Sequence, residues 1–563
     1  MVEILRPLKL VLILLLVASC ATGSKEVKNK IRAQVSGAKY EEALKTLESA
    51  KYFKENEQSK LLFLMEKGLI LHGMGQFNKS IHIFEQAKEL ARKQYTVRVS
   101  KKLTTYIGND SSDIYYGEKY ELSMLHFYQA LNHYSLSFLD KKDVSVMKDG
   151  KKTLEFVKNT SKDRREQLLR ARAELLAWDS FLKELKIERS GTAVFKNDLS
   201  AKVLGGFIHE SIGTRRDRDI AYQLYKDALK LLIKNYGAYK SFNSKHIDYV
   251  KDYDKLPKLG MSKVSKEYIH ETKNQKDLKY FLETKVLSLA KQLRRNSWKR
   301  EIRPFKIDLK KVKAKKNSNV TLVIQEGIVP NKFGEKQYFG LDKELSKSGA
   351  GAIIAIFAAE VLGLYPAPGS YNPVGVHLGY NVAKLAISEA SISFELPKIE
   401  MNKLDYSLVL EIWKNGSKIK EKTLPVINPM GDIAEQAIEE QAAWLYPKVG
   451  ARLATKHVVA ILAAWGTYQG LKGKKGDNDF LARNAAILQY LASSKGIEYS
   501  EQADVRQWST IPKALRMLDF YLAPGKYDFK IRSTGEIPKT HQLGQVIVKS
   551  KKKKLLIQKR VNF

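Results

Sequence analysis

Across residues 59–92 the sequence places small side chains where two helices would have to touch. Gly68 and Ser80 sit at close-approach positions, and Gly75 falls between two helix-periodic runs. Leu64, Leu71, Phe77, Phe84 and Ala87 supply the apolar face at helical spacing. The pattern predicts two antiparallel helices joined by a tight glycine turn, with Phe77 and Phe84 filling the groove between them. Tyr40, Ala43, Leu47 and Ala50 repeat the spacing of Phe77, Ser80, Phe84 and Ala87, offset by 37 residues. A helix pair of this size cannot bury its own apolar face, so a recurring pair implies a stack of neighbours.

The spacing resembles that of tetratricopeptide repeats, which place packing residues at the positions of Leu64, Gly68, Leu71, Gly75, Phe77, Ser80, Phe84 and Ala87. That resemblance implies an N-terminal α-solenoid with a face that binds peptides or protein segments. Residues 219–228 read as another helix of this kind. A helix led in by Tyr115-Tyr116-Gly117-Glu118 runs to Leu136, and a long one covers 164–185. Residues 191–213 look mixed, and 248–266 look like a polar linker.

Beyond Pro304 the period changes. Strand patterns occur at 319–324, 390–396, 406–414, 518–522, 527–532 and 546–557, with a turn at Ala523-Pro524-Gly525-Lys526. Helical inserts are expected at 433–445 and 451–471. The expected fold is therefore α+β and multidomain. Residues 1–19 form a signal peptide, 20–300 the helical-repeat domain, and 301–563 a β-rich or α+β domain. The apolar stretch 349–364 contains Glu360 and is short for a membrane span. It reads as a buried helix or amphipathic flap, with a transmembrane segment as the alternative.

The first residues combine Arg6 and Lys9, an apolar run over 10–17, and Val17-Ala18-Ser19-Cys20. This is the order of a secretory signal, and its end resembles the lipobox of bacterial lipoproteins. The resemblance implies cleavage before Cys20 and acylation of that residue, giving a stable lipid anchor. Ala21, rather than Asp, follows the cysteine and implies sorting to the outer membrane, facing the periplasm. Cys20 is the only cysteine of 563 residues, so disulfides, thiolate metal sites and a cysteine nucleophile are excluded.

The chain carries 98 Lys+Arg against 61 Asp+Glu, a net charge of +37. Such a surface attracts anionic lipid or wall polymer, or it reflects lysines dispersed over solvated faces. Nucleic acid, the usual partner of a basic chain, is not expected for an exported protein. No zinc-protease, nucleophile-elbow, P-loop or dinucleotide fingerprint occurs. His126 and His133 share a helix face and read as packing residues or as a metal pair without a third ligand. Lys549 and Lys551 to Lys554 read as a solvated strand edge or an anionic-surface contact. Within 504–512, Arg506 can pair bidentately with Asp504, Trp508 is a large anchor, and Pro512 precedes a strand. This segment is either a locked structural loop or a ligand site.

Three stretches are similar to a family of uncharacterised bacterial lipoproteins with tetratricopeptide-like N-terminal halves. They are 116–121 leading into 128–132, 326–332, and 504–512 continuing to 522–528. The resemblance covers most of the mature chain and carries no activity with it. The expectation is a non-catalytic scaffold or adaptor of the cell envelope, without catalytic residues, cofactor or metal, bound to the membrane and to envelope proteins. The alternatives are an envelope enzyme acting on peptidoglycan and a protein that binds anionic lipid or lipopolysaccharide.

Overall fold

Five consecutive residues, Val320-Thr321-Leu322-Val323-Ile324, lack any charge, as a strand covered on both faces should. They form β3 (Val320–Glu326), in which every residue is buried. This computed structural model describes residues 25–101, 114–148, 151–187, 198–234, 239–244, 271–294, 296–314, 317–339, 392–400, 404–471, 479–549 and 554–563. The signal segment with Cys20, the linker-like 248–266, the apolar stretch 349–364 and the lysines at 551–553 lie outside the described residues.

The N-terminal part is helical. After α1 (25–36) come α2 (Tyr40–Ser49), α3 (Lys51–Glu55), α4 (Lys60–Gly73) and α5 (Phe77–Lys101). α6 (Lys119–Leu136) and α7 (Ser161–Ile187) flank an antiparallel hairpin, β1 (Lys141–Lys148) with β2 (Lys151–Lys158). α8 (Leu199–Ile212), α9 (Arg215–Lys234), α10 (Lys273–Leu293) and α11 (Trp298–Ile302) follow. Residues 191–213, expected to be mixed, thus contain a regular helix. Asp198 caps α8 by accepting from the Ser200 N–H, and Gly213 ends it at φ +79°.

The strands are β4 (Lys332–Phe339), β5 (Ile392–Ile399), β6 (Leu408–Lys414), β7 (Ser417–Leu424), β8 (Val426–Asn428), β9 (Ala514–Phe520), β10 (Gly525–Ser533), β11 (Thr540–Val548) and β12 (Leu555–Val561). One sheet has the order β11-β10-β6-β7, another β12-β3-β9-β8, and β4 pairs with β5 alone. The chain crosses between the two larger sheets within a few residues, from β7 into β8 and from β9 into β10. β12 runs parallel to β3, while β9 runs antiparallel to it on the other side. The single strand expected over 546–557 is corrected to two, β11 and β12, in different sheets. The lysine run at 549–554 falls at that break, where no apolar side chain remains to bury. The two inserts expected at 433–445 and 451–471 are one continuous helix, α12 (Met430–Leu471), paired with α13 (Asp479–Ser500). Mixed helix and sheet is the class of the whole chain.

One apolar core joins the two regions. It runs from Ile31 and Leu61 through Tyr128, Trp178 and Phe207 to Leu322, Met517 and Val561. β3 lies at its centre, and strand alternation sends successive side chains to opposite sides. Gln325 meets the helices, whereas Glu326 turns to Arg516 and Tyr406.

Candidate functional site: a loop gripped by buried glutamates

The repeat-packing residues meet as their spacing demands. A Cβ built on Gly68 would stand 2.4 Å from the Phe84 ring, so α4 and α5 approach through a position only glycine fits. Gly75 turns between them at φ +74°. Ser80, Leu71, Phe84 and Ala87 are buried, while Leu64 and Phe77 are half-buried, the Phe77 ring lying 5.5 Å from His72. The upstream match also engages, because a Cβ on Gly73 would meet the Tyr40 ring at 2.3 Å.

A second helix pair repeats the device. A Cβ on Gly206 would stand 2.4 Å from Tyr225, Gly213 makes the turn, and Ala221 and Ala228 are buried. The signal lay in the sequence: Gly206 and Gly213 have the spacing of Gly68 and Gly75, and Ala221, Tyr225 and Ala228 that of Ser80, Phe84 and Ala87. Residues 219–228 were legible as a helix of this kind, but the glycines that complete the pair were not recognised.

Ser80 also starts a hydrogen-bond chain that reaches the sheet. Its hydroxyl donates to the Gly68 carbonyl (2.7 Å) and accepts from Asn132 Nδ2 (2.9 Å). Asn132 Oδ1 lies 2.6 Å from His72 Nδ1, and Gln325 Nε2 lies 3.2 Å from His72 Nε2. An amide oxygen only accepts and an amide nitrogen only donates, so His72 is the neutral tautomer protonated at Nδ1. Burial keeps it so, pushing its pKa down to about 4. Gln325 Oε1 then accepts from the Tyr128 hydroxyl (3.0 Å) and from Arg560 Nη2 (3.1 Å). Arg560 Nη1 donates onward to the Thr510 carbonyl (2.8 Å).

Thr510 belongs to the segment 504–512, and here the structure concentrates its buried polar contacts. Glu66 of α4 accepts from the Ser509 N–H and hydroxyl, both at 2.7 Å, and from the Thr510 hydroxyl. Glu121 of α6 accepts from the Trp508 N–H (2.7 Å), the Glu118 N–H (3.0 Å) and the Tyr115 hydroxyl. Arg32 of α1 donates to the carbonyls of Ser509 (2.6 Å) and Val329 (2.8 Å). The Trp508 ring is fully buried, 5.8 Å from Phe84 and 5.9 Å from Tyr128. Thus Phe84 serves both the helix pair and the loop. Arg506 forks onto Asp504 at 2.8 and 2.7 Å and lies over the Tyr115 ring. Pro512 is buried where the loop enters β9. The segment is a locked loop, with Asp504, Arg506, Trp508 and Pro512 all in its construction.

Burial raises the pKa of Glu66, opposed by the hydrogen bonds from Thr510 and Ser509. Glu121 is pushed up to about 7, by burial first and by the neighbouring Glu118 charge second. Lys28, half-buried on α1, is pushed down to about 8 by burial and then by the Arg32 charge. These groups resemble the carboxylates and hydroxyls of a catalytic site in kind. In geometry they differ, since the donors aimed at Glu66 and Glu121 come from the chain itself and the side chains are shut from solvent. Such an arrangement holds a segment in place.

His126 and His133 do not converge. His126 Nδ1 lies 2.6 Å from Glu174, and His133 Nδ1 2.9 Å from Gln167, both on α7. Among the described residues no three His, Cys, Asp or Glu side chains gather as metal ligands. A surface cleft of about 400 Å³ is lined by Arg215, Arg216, Asp219, Leu293 and Arg294, and shares no residue with the loop.

Fold and site together define a mixed helix-and-sheet protein in which helices grip a loop of the same chain. No protein-family model matches the sequence, and neither a curated protein nor a solved structure does.

Proposed function

We propose that this protein is a lipid-anchored lipoprotein of the bacterial cell envelope, acting as a non-catalytic scaffold or adaptor. The observation that carries the reading is the grip on 504–512, where α1, α4 and α6 hold a loop largely through its backbone. A helical surface that binds backbone amides with buried carboxylates is suited to recognising polypeptide rather than to chemistry. Two helix pairs built on the same glycine–aromatic interlock, α4–α5 and α8–α9, together with the Gly73–Tyr40 contact between α4 and α2, support a tetratricopeptide-like solenoid over residues 20–300. With the loop filling one helical face, partner binding falls to the outer surface of the repeats, where Leu176 of α7 stands exposed. The lipobox-like Val17-Ala18-Ser19-Cys20 supports acylation at Cys20 and residence at the outer membrane.

The test uses the full-length protein in its own cells, with a photo-crosslinking residue at position 176. One discrete adduct with a second envelope protein is expected. Adducts that are absent, or that match random surface labelling, would end the scaffold reading. Metabolic labelling with an alkyne fatty acid tests the anchor separately. Label retained in a Cys20→Ala variant would refute acylation at that residue.

A further inference from the structure

Asp219, early in α9, pairs with Arg294 at the end of α10, so the start of one helix stands beside the end of the other. There the surface cleft of about 400 Å³ opens, lined by Arg215, Arg216, Asp219, Leu293 and Arg294. That is the size of a small-molecule site. Three of its five lining residues are arginine, and one is an acid.

The acids nearby are already engaged. Asp219 is held by Arg294, and Asp217 accepts from the Thr214 hydroxyl and lies 2.9 Å from His209 Nδ1. Glu210 is bound to Lys285. Arg215 and Arg216 are exposed and have no ion pair among the described residues. The mouth of the cleft therefore carries two uncompensated positive charges.

Solvation alone does not account for them. Of the 98 basic residues 22 are arginine and 76 lysine, so lysine is the ordinary surface cation of this chain. No lysine lines the cleft, whereas Arg215, Arg216, Arg218 and Arg294 all fall in the two turns that bound it. Helix stability does not account for them either, because the first turn of a helix favours acids and disfavours cations. What arginine adds over lysine is a planar fork of N–H donors that matches two oxygens of one anion.

A doubly charged oxyanion answers both free arginines. A phosphomonoester carries about −1.5 to −2 charges at pH 7 and three acceptor oxygens, which suffices for two forks. A lone carboxylate brings one charge and two oxygens, and would leave one guanidinium unmet. Leu293 offers an apolar wall to whatever carries the phosphate.

We propose that the cleft between α9 and α10 binds a phosphomonoester, with Arg215 and Arg216 holding the phosphate and Arg294, fixed by Asp219, bounding the far side. The proposal rests neither on acylation of Cys20 nor on the scaffold reading, and its test removes that cysteine.

The mature chain carrying Cys20→Ser is titrated with glycerol 3-phosphate in a calorimeter at fixed ionic strength, with glycerol as the control. A second arm tests flotation with phosphatidylcholine vesicles containing phosphatidic acid, whose headgroup is a phosphomonoester. Saturable binding is expected in at least one arm. Heat from glycerol 3-phosphate without flotation assigns the phosphate to a soluble compound, and flotation without that heat assigns it to a lipid. Arg215→Gln with Arg216→Gln should weaken binding roughly tenfold, through loss of two charge-assisted forks. Lys310→Gln with Lys420→Gln removes the same charge from exposed positions elsewhere and should leave binding unchanged. All four side chains are exposed, so folding should be kept, as circular dichroism checks. Binding in neither arm overturns the proposal. So does binding that the arginine pair leaves unchanged, or that both pairs weaken equally.

Discussion

The carboxylate of Glu66 accepts both the backbone N–H and the hydroxyl of Ser509, a residue 443 positions away. Arg32, which donates to the Ser509 carbonyl, ties the same two regions from α1. Each side depends on the other: Glu66 would be an unpaired buried acid without the loop, and the loop would leave buried donors unmet without Glu66.

Trp508→Ala is therefore expected to weaken both regions together. Emptying a site walled by Phe84 and Tyr128 costs about 3–5 kcal/mol. Thermal unfolding should stay a single transition at lower temperature, because one core joins helices and sheet. Two separated transitions, with the helical one unmoved, would contradict the shared core.

Glu121 gives a pH dependence of defined sign. Its folded pKa, about 7, lies above its ordinary value, so the folded state holds the proton more tightly. The stability this confers is fully present below the ordinary carboxylate range and is lost as pH rises through 7. The shift corresponds to roughly 3 kcal/mol. Glu121→Gln, which cannot ionise, should lack this loss. The variant should gain on the wild type between pH 5 and pH 8, as melting at the two pH values will measure. A gap independent of pH would count against a proton held at Glu121.

Arg516 and Glu326 are both fully buried, with Arg516 Nε and Glu326 Oε2 2.5 Å apart. Glu326→Gln strands the buried Arg516 charge and should cost about 3–5 kcal/mol. Arg516→Met should cost less, because Glu326 keeps Lys513 at 3.7 Å and the Tyr406 hydroxyl. The double variant should cost less than the sum of the two. Strict additivity in a denaturant cycle would show that the pair is not coupled.

Two glycines separate close approach from backbone conformation. Gly206→Ala forces a methyl into the Tyr225 ring and should destabilise by 1–3 kcal/mol through overpacking. Gly75 has nothing within 4 Å of its absent Cβ, and only its φ of +74° resists substitution, so Gly75→Ala should cost about 1 kcal/mol. Adding Tyr225→Leu should relieve part of the Gly206→Ala loss and none of the Gly75→Ala loss. Equal response of the two would remove the interlock as an explanation.

Local spacing made the helix pairs legible, because helical geometry forces small residues opposite large ones. The Asp504–Arg506 fork was legible for the same reason, being closed within two residues. The partners of the loop were not, since pairing across hundreds of positions leaves no periodic trace. A weaker trace did exist. Glu66 interrupts the apolar run Leu61-Leu62-Phe63-Leu64-Met65, and a carboxylate in such a setting must find donors. Apolar residues on both sides of 549–554 carry the pattern of one strand, whereas the lysines between them mark two.

The parallel pairing of β3 with β12 sets an order of events. Val320 waits for Leu555, and at 5–20 residues per second the partner of this central strand is synthesised about 12–47 s later. Both edges of this wholly buried strand lack a native neighbour until β9 follows at Ala514, and the β12 edge stays open to the end of the interval. The native sheet therefore cannot close before β12 arrives, whatever has already folded around β3.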